Sequence, residues 1–454
     1  MMVKNIYTKL ISGLVFPLHE RLKKHHTVAV LKEMEKTQWL SPEEIKSLQL
    51  HKLRGFLVDV GQHVPYYREL FKKQEFQPDN LTDPSDLARL PLVEKKVIRE
   101  HLDDLQADDA VGLSRFNTGG SSGEPLIFFI GRNRISHDVA AKWRATRWWG
   151  VDIGDPEIVI WGSPIELGAQ DKIRLIRDKI LRSHLIPAFA MSDQNLDGFI
   201  EQIQDIKPKM LFGYPSALFH IARHAENTGK KLDNLGIEVA FVTSERLYDH
   251  QREKIQAIFN CPVANGYGGR DAGFIAHQCP EGGMHVTAED IIVEIIDKQG
   301  NVLPAGESGE IVVTHLATRD FPFIRYRTGD VGTLSEQTCS CGRGLQLLED
   351  IQGRTTDFVV AQDGTVLHGL ALIYVLRDLP GVEAFKIIQE SKQKTRVEIV
   401  KDANYRLDSE ALIRQEFKKR LGDDVDIQIH FRSQIDKEKS GKFRYVVSHV
   451  KDLN

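Results

Sequence analysis

Between Asn117 and about Ile351 the chain alternates short apolar runs with helical stretches, and this alternation constrains the fold more than any other feature. Ile158–Trp161, Met210–Phe212, Val239–Val242 and Pro262–Asn265 read as buried strands, each ending in glycine, serine or another polar residue. Segments such as Asp193–Ile206 and Ala217–Thr228 read as the helices between them. Strands alternating with helices predict an α/β core.

The flanking sequence has a different texture. Residues 28–110 read as helical; Ser41-Pro-Glu-Glu supplies a serine cap with proline and acids in the first turn, and apolar spacing continues through 45–60. Residues 291–332 read as a β-meander of Ile291–Ile296, Gly309–Thr314 and Phe323–Arg327, with turns at Lys298-Gln-Gly-Asn and Pro304-Ala-Gly. After Gly353 come two β segments (Phe385–Gln389 and Arg396–Val400), a helix (Asp408–Leu421) and a final strand (Asp426–Phe431). The expected organisation is a large α/β domain over 1–353, helical over 1–110 and including mixed sheets and the meander. A small α+β domain over 354–454 follows it.

Composition removes several classes of function. Lys and Arg total 60 against 64 Asp and Glu, a net charge of −4, so the chain lacks the global basic field of a nucleic-acid binder. Four cysteines in 454 residues cannot form a disulfide framework and fit a reducing, cytoplasmic setting. The apolar stretch Leu10–Leu18 is broken by Ser12, Gly13 and Pro17 and falls far short of the ~18 residues that suggest a membrane span. The basic run Arg21-Leu-Lys-Lys-His-His could help an amphipathic segment lie on an anionic membrane, making any association peripheral; a surface helix is the plainer reading.

The most specific local feature is Asn117-Thr-Gly-Gly-Ser-Ser-Gly-Glu-Pro-Leu126. Gly119, Gly120 and Gly123 allow unusual backbone angles and close approach of an anion, while Thr118, Ser121 and Ser122 offer hydroxyl donors. The loop suits a polyphosphate, although no lysine follows its last glycine as it would in a P-loop. Taken alone, a surface turn reads as well. Downstream come Tyr267-Gly-Gly-Arg-Asp271, Tyr326-Arg-Thr-Gly-Asp330, Gly353-Arg354 and Lys439-Ser-Gly-Lys442. In this order the five motifs resemble the signature set of the adenylate-forming enzymes, and within it the phenylacetate–CoA ligase and CapK-type capsular-polysaccharide branch. The resemblance also takes in Val64-Pro-Tyr-Tyr-Arg68, Leu90-Pro-Leu-Val-Glu-Lys95 and Gly213-Tyr-Pro-Ser216, and so covers nearly the whole chain.

That resemblance implies attack of a small carboxylic acid on the α-phosphate of ATP, giving an acyl-adenylate and pyrophosphate. The protein's task is then to align two anions and neutralise developing charge. Thr118–Gly123 would cradle phosphate, with Leu126 standing where family loops often carry lysine. Asp271 matches the acidic residue that holds Mg2+, usually glutamate, and its shorter arm can call for an intervening water. Tyr267, beside Gly268, would stack on adenine with Ser244 and Glu245 near the base. Asp330 would accept the ribose hydroxyls, Arg354 would lie near ribose and phosphates, and Lys442 would be the mobile catalytic lysine. Trp161, Tyr214 and Gly266 would line the acid pocket, though core packing accounts for the same aromatics. The family junction Gly-Arg-x-Asp-Asp here reads Gly353-Arg-Thr-Thr-Asp357, placing Thr356 at the usual pivot aspartate.

Cys279 and His285 flank Pro280-Glu-Gly-Gly, and Cys339-Ser-Cys341 follows beyond the meander. Spacing alone leaves two readings evenly matched: a tetrahedral metal site of three sulfurs and one nitrogen, and scattered thiols. Members of this branch carry a similar set with structural Zn2+, which the resemblance extends to Cys279, His285, Cys339 and Cys341; His277 is an alternative ligand. Cys261 is left over and expected to be buried. The leading expectation is an ATP-dependent, AMP-forming ligase passing the acyl group to CoA or to an amine, as in an acylated surface sugar. A nucleotide-binding scaffold of a polysaccharide assembly complex is the competing class, motivated by Thr356.

Overall fold

The computed structural model describes residues 6–117, 126–161, 172–188, 193–352, 358–377, 379–406, 408–435 and 445–450. Strands β1 (Ser114–Asn117) and β2 (Ile127–Ile130) pair antiparallel and bracket the glycine-serine loop. Next come β3 (Glu157–Trp161), β4 (Ser183–Pro187), β5 (Met210–Gly213), β6 (Val239–Thr243), β7 (Val263–Gly269), β8 (Gly273–Gln278) and β9 (Met284–Val286). They form one seven-stranded sheet ordered β4-β3-β5-β6-β7-β8-β9, parallel through β7 and antiparallel beyond it. The chain winds outward from β3 to β4, then returns to β5 on the other side. This leaves a topological switch point between β3 and β5, where open α/β sheets place ligands.

The parallel strands are apolar on both faces because both faces are covered. Ile158, Ile160, Leu211, Ala240 and Val242 pack under the helices Asp193–Ile206, Pro215–Asn227 and Asp249–Phe259. The alternate residues Met210, Phe212, Val239 and Phe241 meet Ala145, on the helix Arg132–Trp148. Gly213 is required where β5 passes β3, since a Cβ there would lie 2.3 Å from the Ile160 carbonyl oxygen.

A second sheet, the meander, contains β10 (Ile291–Ile296), β11 (Ser308–His315), β12 (Tyr326–Leu334) and β13 (Leu348–Gln352), all antiparallel. The third strand therefore lies later than Phe323–Arg327. Phe321 and Phe323 are buried instead as part of a loop, and Arg325, at φ +50°, turns the chain into β12. Arg325 is itself buried, donating to Glu294 and to the carbonyls of Ala88 and Leu90, which fastens the meander to the N-terminal helices. Those helices include Thr27–Thr37, Pro42–His63 and Pro65–Lys73, and Ser41 and Glu44 form a full capping box at Pro42.

Residues beyond 358 build a separate core from Val359 to Val446. It holds the hairpin β14 (Phe358–Val360) and β15 (Val366–His368), and a sheet of β16 (Val382–Ser391), β17 (Lys394–Lys401), β18 (Asp426–Phe431) and β19 (Val446–Ser448) in the order β18-β17-β16-β19. Asp426–Phe431 is thus not the final strand; β19 adds parallel to β16. The helix Ser409–Leu421 packs on this sheet. Arg223, on Pro215–Asn227, contacts Asp363 and Thr365 at the tip of the β14–β15 hairpin, joining this unit to the large sheet. The chain is α/β with mixed sheets and a smaller C-terminal α+β unit. Among the described residues, no helix is long and apolar enough to cross a membrane.

Candidate active site and metal centre

The carboxyl ends of β3, β5, β6 and β7 converge on one edge of the parallel sheet and carry Trp161, Tyr214, Ser244–Glu245 and Gly266–Gly268. Trp161 stacks on Tyr214 across the switch point, with centroids 4.6 Å apart and planes 19° from parallel. Ser244 adopts a left-handed φ of +69° directly after β6, and Glu245 then accepts the Ser216 backbone N–H at 3.2 Å. Glu245 thereby ties the β6 edge to the start of the helix Pro215–Asn227. Gly266 lies against Phe241, and Gly268 allows the β7–β8 hairpin to close, since a Cβ would stand 2.2 Å from the Gly273 oxygen.

Two reciprocal hydrogen bonds join this edge to the meander. The Tyr267 hydroxyl donates to Asp330 Oδ2 at 3.0 Å, and the Tyr326 hydroxyl donates to Asp271 Oδ2 at 2.6 Å. Asp330 sits mid-strand on β12, where its backbone N–H donates to Thr328 Oγ1. Asp271 lies in the tight β7–β8 turn and accepts the Ala272 N–H on Oδ1 at 3.1 Å. Both carboxylates stay partly exposed and retain acceptor capacity for a ligand.

The Asp271 turn has a further support. Arg134, almost fully buried on Arg132–Trp148, donates to the carbonyls of Asp271 at 2.8 Å and Arg270 at 2.7 Å. Its Nε reaches Asp138, which faces the buried His315. Burial alone would raise the Asp138 pKa, but Arg134 and His315 hold it below the usual carboxylate range. Burial conversely lowers His315. Arg134 and Tyr326 are the supporting residues that no local pattern picks out. Arg134 stands 137 residues from Asp271, and Tyr326 opens the quoted motif without any residue type that announces its partner. Thr118–Gly123, Arg354, Thr356 and Lys442 lie outside the described residues.

On the far side of the β8–β9 hairpin, Cys279, His285, Cys339 and Cys341 bring four donor atoms within 4.8 Å of one another. Cys279 Sγ stands 3.6 Å from Cys339 Sγ, and Cys341 Sγ stands 3.2 Å from His285 Nε2. A tetrahedron with Zn–S bonds of about 2.3 Å has edges of about 3.8 Å, so the donor set fits zinc. His285 Nδ1 lies 3.3 Å from the Leu345 carbonyl; donating there leaves Nε2 as the ligand atom. Burial lowers His285 to about 4, keeping the imidazole neutral, and burial with the neighbouring thiols pushes Cys279 up to about 12. A dication would reverse that penalty on the thiolates. Arg343, two residues after Cys341, lies between the Trp39 and Trp148 rings, and Trp148 packs edge-on against His285. His277 is not one of the four donors; its ring packs by Phe241 and Phe274. Cys261 is buried, and burial pushes its thiol up to about 12.

Comparison with known proteins agrees with this architecture. The family model for AMP-binding enzymes matches residues 182–317, and that for the CapK C-terminal domain matches residues 359–449. The chain belongs to the adenylate-forming enzyme superfamily. Within it the chain falls in the branch of CapK and the phenylacetate–CoA ligases. It is 22% identical to protein CapK of Staphylococcus aureus over 457 residues, covering 97% of this chain and 96% of CapK. Against the phenylacetate-coenzyme A ligase of Pseudomonas putida it is 27% identical, covering 70% of this chain and 73% of that protein. The fold matches 2-hydroxyisobutyryl-CoA ligase, in complex with 2-HIB-AMP and CoA, at a TM-score of 0.65 and 20% identity, over 90% of each chain.

Proposed function

We propose that this AMP-forming ligase activates a small carboxylic acid with ATP and passes the acyl group to CoA or to an amine, in surface polysaccharide biosynthesis. The observation that carries the reading is the cross-braced pair of carboxylates: Tyr326 on Asp271 and Tyr267 on Asp330, at the carboxyl edge of a parallel sheet. Asp330 would accept the ribose hydroxyls beside Tyr267, whose ring would form one wall for adenine. Asp271, with its turn fixed by Arg134, would hold Mg2+, which supplies positive charge to the ATP phosphates when bound. Ser244 and Glu245 would border the base, and Trp161, Tyr214 and Gly266 the acid. The Thr118–Gly123 loop would donate to phosphate, and Arg354 and Lys442 would bring cations from the C-terminal unit. Preorganised donors and cations around the reacting phosphorus are the expected source of rate.

The domain boundary proposed is at 353–354, and the four-residue Cys/His cluster is proposed to hold structural Zn2+. The four protein donors would fill a tetrahedral shell, so the ion's role would be to clip the β8–β9 hairpin to the segment following the meander. Product analysis tests the reading: ATP, a panel of carboxylic acids, and either CoA or an amine should yield AMP with an acyl-CoA or an amide. Formation of ADP in place of AMP would sink it. Tight ATP binding without any product would favour the scaffold that Thr356 at the pivot position motivates.

A further inference from the structure

The helical run from Ile6 to Leu22 has two unlike long faces. On the inner face Thr8 donates to Asp155 at 2.7 Å, Ile11 lies against Gly154, and Phe16 joins a cluster with Val30, Leu31 and Trp143. Glu20 is buried beside His19, His25 and Thr27. The run is therefore an anchored part of the fold.

Its outer face carries Ile6, Leu10, Leu14, Leu18 and Leu22, each 50–84% exposed and spaced by four. At about 3.6 residues per turn, such spacing drifts roughly 40° per step and would wind an apolar stripe off one face. Here Ile11–Val15 form a π turn, closed by Phe16 N–H on the Ile11 oxygen. A π turn is wider, so residues four apart across it fall short of a full turn, which offsets the drift. Single exposed leucines are ordinary, but five in register are not.

A second helix, Lys172–Leu181, lies alongside. The Tyr7 hydroxyl donates to the Ile180 oxygen at 2.9 Å, and the Arg182 guanidinium lies 4.3 Å from the Tyr7 ring centroid. This helix exposes Leu175, Ile176 and Ile180. Charge completes the pattern. Residues 6–26 hold Lys9, Arg21, Lys23 and Lys24 against Glu20 alone, which is buried; residues 175–182 hold Arg177, Lys179 and Arg182 against Asp178. This local excess is opposite in sign to the chain's net −4.

We propose that these two helices seat the protein on an anionic lipid surface, lying flat with the aliphatic side chains in the headgroup layer and the Lys and Arg side chains among lipid phosphates. The run from Ile6 to Leu22 is about 25 Å long at ~1.5 Å per residue, suited to lying in the interface rather than crossing it. The proposal stands apart from the identity of the ligase substrate.

Flotation with phosphatidylcholine vesicles, alone or mixed equally with phosphatidylglycerol, tests it. The full chain should float with the mixed vesicles and much less with phosphatidylcholine alone. The triple variant Leu10→Gln, Leu14→Gln, Leu18→Gln replaces exposed side chains, so its thermal midpoint should match the parent while binding weakens by roughly tenfold or more. Lys23→Glu with Lys24→Glu should remove the preference for phosphatidylglycerol. The proposal is overturned if the parent stays with the unbound fraction on both vesicles, or if the leucine variant floats like the parent. It is equally overturned if that variant turns an oligomer into a monomer with lipid binding unchanged, since the stripe would then be covered by a second copy.

Discussion

Replacing Tyr326 with phenylalanine isolates the support that Asp271 receives. The ring is fully buried and packs edge-on against Phe323 at 5.2 Å, so Tyr326→Phe keeps the packing and removes only the hydroxyl. What is lost is a 2.6 Å hydrogen bond to a carboxylate. Bonds to charged groups contribute about 1.5–3 kcal/mol net. Asp271 is partly exposed and water can take up the vacated acceptor site, so the lower figure applies. At about 1.4 kcal/mol per factor of ten, the variant should lose roughly tenfold in adenylation rate at limiting Mg2+. The assay is ATP–pyrophosphate exchange measured against Mg2+ and against the acid. The half-saturating Mg2+ concentration should rise while the KM of the acid stays near its parent value. An unchanged Mg2+ dependence, or a loss confined to acid binding, would refute the assignment of Asp271 to the metal. Tyr267→Phe is the internal contrast: its hydroxyl serves Asp330, so its effect should fall on the KM of ATP.

Cys341→Ser should lower bound zinc from one equivalent per chain toward none, read by elemental analysis of protein purified without chelator, and should destabilise by about 3 kcal/mol or more. Glu289→Ala should cost about 3–5 kcal/mol in denaturant unfolding, because it strands Arg144 in a site where both partners are 1% exposed. For His137, burial disfavours charge, but Asp290 at 2.6 Å overrides it and the folded pKa is raised above 6.5. Its contribution is therefore present in full below the unfolded pKa and is lost as pH rises through the folded value. The stability gap between the parent and His137→Gln should accordingly be widest near pH ~5.5 and shrink toward pH ~8.5.

Strands buried on both faces were legible because their residues are apolar without interruption: Ile158–Trp161, Met210–Phe212 and Val239–Val242 lie within β3, β5 and β6. The same rule misplaced the meander's third strand. Phe321-Pro-Phe-Ile324 is apolar because a loop is packed into the core, whereas the polar residues of β12 have partners: Arg327 pairs with Glu310 and Glu94, the buried Thr328 donates to the Ile311 carbonyl, and Asp330 accepts from Tyr267. β19 is three residues long and leaves no periodicity to read. The N-terminal segment is helical, as the surface-helix reading has it, but its π turn over Ile11–Val15, which takes in Ser12 and Gly13, leaves no mark in the sequence pattern. Motif order singled out Asp271, Asp330 and Tyr267, but not Tyr326 as a brace, the pairing of each tyrosine with the other motif's aspartate, or Arg134 beneath the turn. Those contacts depend on tertiary geometry across tens to more than a hundred residues, which local patterns do not encode.

Adenylation where the carboxyl edge of the parallel sheet meets the meander, with Lys442 as the mobile cation, is tested most directly by ATP–pyrophosphate exchange in the parent and in Lys442→Ala across a panel of carboxylic acids. The expected result is acid-dependent exchange in the parent and at least about a hundredfold loss in the variant, with ATP binding retained. Exchange by neither protein with any acid, despite ATP binding, or equal exchange by both, would contradict it.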